Sequence, residues 1–276
     1  MNNQVQLGYQ LARVCFSPQT GDRLWLAGAQ HPGNVVSPSC VQELIRAAEA
    51  QAAVRPRRRP ELVTQRIAAQ ATEIARLRRL RDKQRAKVPH LQQQQTLVIG
   101  KRYPAEQVLK GRIARPKRQR LGMQVKLWQK RLPRLGEQLT LAQRLATDYQ
   151  ARLAQAETER QRLRTWQAQL AADHAANPNA PRIEARLDAG FASGGNLAWL
   201  LEMGYDLNTK SANPRTTQAG RAQLPRGAAW TRVGDNAEMI LIGEQVLRGC
   251  PYPVAVALGV SCPHSLYRAL CQCQSQ

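Results

Sequence analysis

The sequence predicts an α/β fold, in which a mixed sheet is interrupted by a long helical coiled-coil insertion and followed by a small β-rich C-terminal part. Three observations predict it. Two strand-like runs, residues 7–16 and 23–29, are joined by a Ser-Pro-Gln-Thr-Gly-Asp turn and followed by an amphipathic helix. A strand, a helix and a second strand are then written into residues 182–210. Between these parts lies a polar stretch, residues 55–179, whose apolar positions recur at spacings of three and four.

Each element has a local reason. Ser37-Pro38 offers an N-cap and a first-turn proline, and Val41, Leu44, Ile45 and Ala48 then trace one helix face. In the polar stretch, Val63, Ile67, Ile74 and Leu77 suggest a first helical arm. Leu135, Leu139, Ala142, Ala146, Tyr149, Leu153, Ala156, Leu163 and Leu170 suggest a second, together an antiparallel hairpin. Pro89, Gly100, Pro104, Gly111, Pro116, Gly122 and Pro133 are expected to break the helices between the arms. Further on, Ile183, Ala185 and Leu187 alternate up to Asp188, and Ala189-Gly190-Phe191 turn the chain. Ser193 is an N-cap, Leu197, Leu200 and Leu201 follow at helical spacing, and Gly204 stands where a helix-ending glycine belongs. Short strand candidates follow at 230–233, 239–242 and 254–258. The expected division is 1–54, 55–180, 181–212, 213–260, and an irregular tail at 261–276.

Charge is the unusual quantity. The 276 residues carry 41 Lys and Arg against 19 Asp and Glu, a net +22. Residues 52–134 alone hold 24 basic and 4 acidic residues, so one segment carries nearly all of the excess. Clustered cations release counterions from phosphates and give sequence-independent DNA affinity. Lys101, Arg102, Lys110, Arg112, Arg115, Lys117, Arg118, Arg120, Lys126, Lys130 and Arg131 are the candidate DNA contacts, with Tyr103 and Trp128 among them to stack on exposed bases. The rivals for this segment are a plain solvated charge run and a membrane-surface helix with Leu121, Val125, Trp128 and Leu132 as its apolar face; the charge density favours DNA over both. No uninterrupted apolar run approaches membrane-spanning length.

Six cysteines in a chain of this length, with no secretory signal pattern at Met1, read as reduced thiols, with Cys15 and Cys40 in core elements. The Cys262, His264, Cys271, Cys273 set has zinc-ligand residue types but the spacing of no zinc module. A cytoplasmic, nucleoid-associated location is expected.

The stretch from Arg182 to Ser211 resembles the part of bacterial insertion-sequence DDE transposases that carries the second catalytic acid. There a D-x-G-[FY] turn follows a strand, here Asp188-Ala189-Gly190-Phe191. The resemblance implies an RNase H-like core, present from its second strand onward, with a small β insertion after residue 212. It also implies two-metal phosphoryl transfer with Mg²⁺ or Mn²⁺, for which several carboxylates must converge. Family members supply an Asp from the first strand, the Asp matching Asp188, and a Glu from a late helix. This chain matches only the middle one. Asp22 falls in the hairpin turn, Glu184 is a neighbour of the site, Glu238 and Glu244 come too early, and no acid follows Glu244. The expectation is therefore a transposase-derived chain, truncated at both ends of its core, with Asp188 as surviving catalytic and metal position. The metal pair is not expected to be retained, and the chain is expected to be inactive alone while still binding DNA non-specifically. A homodimer, or association with full-length transposase copies through the coiled coil, is the expected protein partnership. The alternative is a non-catalytic basic coiled-coil nucleic-acid-binding protein.

Overall fold

A computed structural model describes residues 9–17, 22–32, 37–210, 214–234, 237–261 and 266–273. They form two compact units, one of Met1–Thr64 with Trp166–Gln276, the other of Gln65–Thr165.

The first unit contains two sheets. Strands β1 (Tyr9–Phe16) and β2 (Leu24–Pro32) make an antiparallel hairpin with an irregularity at Val14/Cys15. A 3-10 turn, Ser37–Cys40, leads into helix α1 (Val41–Ala52), so the Ser-Pro pair opens a tighter turn rather than the α-helix itself. Val41, Leu44, Ala48 and Glu49 are the buried positions of α1. Ala12, Cys40 and Leu44 form a core cluster, with Val14, Ala29 and Phe191 packed on it. Cys15, expected in the core, points to the exposed face of the hairpin instead.

The second sheet has the order β3-β4-β8-β7-β6-β5. Strand β3 (Glu184–Leu187) pairs in parallel with β4 (Asp206–Lys210), joined by helix α4 (Gly194–Glu202). Helix α5 (Pro214–Ala222), then β5 (Thr231–Gly234), β6 (Ala237–Val246), β7 (Pro253–Ser261) and β8 (Leu266–Cys273) complete the unit, and all remaining strand pairs are antiparallel. Val254, Val256, Ala257 and Leu258 of β7 are buried on both faces, as a central strand with a continuous apolar run requires. Leu197, Leu200 and Leu201 of α4 are also buried, each contributing about 1.5–3 kcal/mol of transfer free energy.

Three expectations are corrected here. The hairpin does not join the Asp188 strand in one mixed sheet: β1–β2 stands as a separate sheet, and the two meet through Phe191 and the α1 core rather than through backbone pairing. The segment expected as a separate small β insertion opens with α5, and its strands extend the β3–β4 sheet through β8. The tail expected to be irregular supplies that β8, which bonds to both β4 and β7. Long-range strand pairing of this kind has no local signature in sequence.

The second unit is a helical hairpin formed by helix α2 (Pro60–Lys110) and helix α3 (Arg115–Ala176), both of which begin or end in the first unit. Of the expected breaks only the one at Gly111 occurs, where the chain reverses over 111–114: α2 runs through Pro89, Gly100 and Pro104, α3 through Gly122 and Pro133, and Pro116 sits in the first turn of α3. A proline removes one ladder hydrogen bond and kinks a helix. A long apolar seam on either side outweighs that local cost. Ile74, Leu77 and Leu153, with Tyr149 and Ala156, form a cluster of the seam, and Val98, Ala105, Val125 and Leu135 continue it as buried residues.

Candidate metal position and candidate nucleic-acid interface

Asp188 occupies the carboxyl end of β3, with φ −71° and ψ 152°, and opens a 3-10 turn over Ala189–Phe191. Its carboxylate accepts the Ala189 N–H at 2.8 Å, and its carbonyl accepts the Phe191 N–H at 2.9 Å. Ser193 then caps α4, its hydroxyl oxygen accepting the Asn196 N–H at 3.3 Å, while the buried Asn196 amide donates to the Phe191 carbonyl at 3.0 Å. Gly194 is required by close approach: a Cβ there would lie 2.1 Å from the Arg248 carbonyl oxygen. The strand–turn–helix–strand unit read from the sequence is thus formed, and Asp188 is exposed.

The acids around it do not converge. Glu184, four residues back and likewise exposed, is paired to Arg186 at 3.1 Å. Glu238 and Glu244 lie on β6, four strand steps across the sheet from β3, which is about 19 Å at the usual strand spacing. Asp206 pairs opposite Glu184 at the other end of β3 and is engaged by Arg59 at 3.0 Å and by Arg182. Among the described residues no group of three or more His, Cys, Asp or Glu is placed to hold a metal ion. The donor set at Asp188, one exposed carboxylate acting as a turn cap, does not fit a two-metal centre, which needs ligands a few ångströms from both ions. Cys262 and His264 of the zinc-type set lie outside the described residues.

The cationic segment has another character. Residues 101–134 hold twelve Lys and Arg and a single acid, Glu106. Of the candidate contacts, Arg102 is ion-paired to Glu106 at 2.6 Å, and Arg118 donates to the Gly111 carbonyl across the reversal at 3.0 Å. Lys101, Lys110, Arg112, Arg115, Lys117, Arg120, Lys126, Lys130 and Arg131 are all exposed. Other ion pairs of this unit lie outside that stretch: Arg76–Glu73 at 2.6 Å, Arg78–Glu157 at 2.6 Å and Arg162–Glu159 at 2.7 Å. Hydrogen bonds from Arg76, Arg102 and Arg162 hold the carboxyls of Glu73, Glu106 and Glu159 below the usual glutamate range. The shaft of the hairpin neutralises much of its own charge, and the end around the reversal does not.

The aromatic candidates part company. Tyr103 is exposed, whereas Trp128 is half-buried on the seam face together with Leu121, Val125 and Leu132. The face that the sequence offered to a membrane surface is therefore used for helix–helix packing. No helix of the described residues is long and apolar enough to cross a membrane.

Sequence reasoning missed a buried polar network at the base of α2. Arg58 clasps Glu49 with two hydrogen bonds, at 2.8 and 2.7 Å, and donates to the Met203 carbonyl at 2.9 Å. The Tyr205 hydroxyl donates to the same Glu49 at 2.8 Å, and burial, reinforced by the Glu49 charge, raises the Tyr205 pKa far above its ordinary value. Beside it, Glu202 accepts from Trp166 Nε1 and from the Tyr252 hydroxyl, each at 2.7 Å. In sequence Arg58 belongs to the basic run of 52–134, which reads as solvated. The signal available was Glu49, an acid on the apolar face of α1, which calls for a buried cation.

The chain matches no known protein family, and neither a curated protein nor a solved structure matches it.

Proposed function

We propose that this chain is a transposase-derived DNA-binding protein that holds DNA through the basic end of the α2–α3 hairpin and carries out no two-metal chemistry by itself. The observation that carries the proposal is the cluster of exposed cations in 101–134, in which Glu106 is the one acid. A surface of this kind has little internal use for its charge, and a polyphosphate is the partner that releases counterions on meeting it. The transposase ancestry is supported by the local geometry of Asp188: an acid at the carboxyl end of a parallel strand, capped by the turn that follows. The catalytic part of that ancestry is not supported, because a turn-capping carboxylate without partner acids cannot fix a pair of ions.

The test is fluorescence anisotropy with a duplex of about 30 base pairs at increasing salt. Each phosphate contact contributes about −0.9 to the slope of log K against log salt, so affinity is expected to fall steeply between low and physiological salt. Replacing Arg115, Lys117, Arg118 and Arg120 by alanine should weaken binding to all sequences alike. The slope should flatten by about one unit for each phosphate no longer engaged. An unchanged slope would place the DNA surface elsewhere on the chain.

A further inference from the structure

The basic end of the hairpin is not only charged. Most of the large apolar side chains exposed in the second unit lie in it or beside it: Leu97, Ile99, Tyr103, Val108, Met123 and Leu127. On α3 two of them have a definite setting. Met123 and Leu127 are one turn apart, 58% and 66% exposed, on the face opposite the seam residues Val125 and Leu132. At 3.6 residues per turn, Lys126 and Lys130 line one flank of this pair and Arg120 and Arg131 the other. The result is a short apolar ridge between two rows of cations, on the outward side of one helix.

Resting on the DNA-binding reading, we infer that the outward face of α3 over residues 120–131 seats in the major groove of duplex DNA, with Met123 and Leu127 against base edges. The match is geometric. The major groove is about 12 Å wide, admits a single α-helix, has phosphates along both walls, and exposes thymine methyl groups on its floor. A helix with cations on both flanks and apolar side chains between them meets each of those features. The segment 120–131 is about 17 Å long, close to the length of five base pairs, and the apolar pair occupies about 6 Å at its middle. A single-stranded ligand would call for aromatic platforms, and the ridge has none. A membrane surface would call for a broad apolar face, and that face of α3 is turned into the seam.

The experiment compares duplexes carrying thymine with duplexes of the same sequence carrying uracil, which lack only the C5 methyl groups. Wild type should bind the thymine duplex more tightly, by about fourfold for each methyl group desolvated. The Met123→Ala/Leu127→Ala double variant, whose changes are on exposed positions, should lose that preference while keeping the wild-type salt slope and helical content. Equal binding of the two duplexes by wild type would overturn the inference, as would a thymine preference surviving in the double variant. Tighter binding of a single strand than of the duplex would overturn it in favour of unpaired bases, and competition by phosphatidylserine vesicles at matched charge would overturn it in favour of a lipid surface. Absence of salt-sensitive binding to either duplex would remove this inference together with the DNA reading beneath it.

Discussion

Arg58 shows how far a residue's neighbours decide what its charge is for. It sits in the run Arg57-Arg58-Arg59, yet it is 3% exposed, gripped by Glu49 and hydrogen-bonded to Met203. Burial alone would lower its pKa; the Glu49 hydrogen bonds and charge, with Asp173 adding, more than offset that and raise it. Such a pair is weakly stabilising as a pair and strongly destabilising when half of it is removed, because the remaining charge is left in a poorly solvated site. Arg58→Met is therefore expected to cost about 3–5 kcal/mol in urea unfolding followed by tryptophan fluorescence. Adding Glu49→Gln, which keeps an acceptor for the Tyr205 hydroxyl, should restore a good part of the loss. If single and double variants unfold at the same urea concentration, the cost is one of packing and the ionic account is wrong.

Glycines separate the elements by what their backbone must do. Gly204 ends α4 at φ +95°, and a Cβ there would fall 1.8 Å from the Arg57 carbonyl oxygen, so both conformation and space demand glycine. Gly100 in α2 and Gly136 in α3 face open space and sit in ordinary helix, where glycine costs about 0.5–1 kcal/mol relative to alanine. Gly100→Ala and Gly136→Ala are thus expected to raise the thermal midpoint of the helical circular-dichroism signal. Gly204→Ala should lower the stability of the first unit by several times that amount. A Gly204→Ala protein as stable as wild type would show that the Arg57–Arg58 backbone is free to move away, contrary to the hydrogen bond from the Arg59 N–H to the Glu202 carbonyl at 2.9 Å. The same helices account for the absence of breaks at Pro89, Pro104 and Pro133: a local penalty of about 3 kcal/mol is met by many seam contacts.

For the molecule as a whole, the distribution of acids decides the chemistry. Asp188 at the end of β3, Asp206 at the start of β4, and Glu238 and Glu244 on β6 are dispersed over one six-stranded sheet. Two ions about 3.5–4 Å apart need shared carboxylates, and one exposed carboxylate competes poorly with the water shell of Mg²⁺. The purified chain is therefore expected not to nick supercoiled plasmid in Mg²⁺ or Mn²⁺, and Asp188→Ala is expected to behave identically. Metal-dependent nicking abolished by Asp188→Ala would show that acids converge on this site in solution.

Much of the chain could be read locally, and the physical reason is that those features are local. The cap at Ser193, the helix-ending Gly204, the turn at Asp188 and the apolar seam of α2 and α3 each depend on residues within a few positions, and each appears where residue spacing placed it. The concentration of charge in 101–134 is a property of composition and survives folding unchanged. Tertiary structure alone decided the rest. That β1–β2 stands apart from β3, that β8 bridges β4 and β7, and that Arg58 is a buried partner of Glu49 depend on groups brought together from 9 to 156 positions apart in the chain. It also decided which side of α3 is left to solvent. Leu121, Val125, Trp128 and Leu132 on one side and Met123 and Leu127 on the other are equally apolar in sequence, and only the packing of α2 against the first set makes the second a surface.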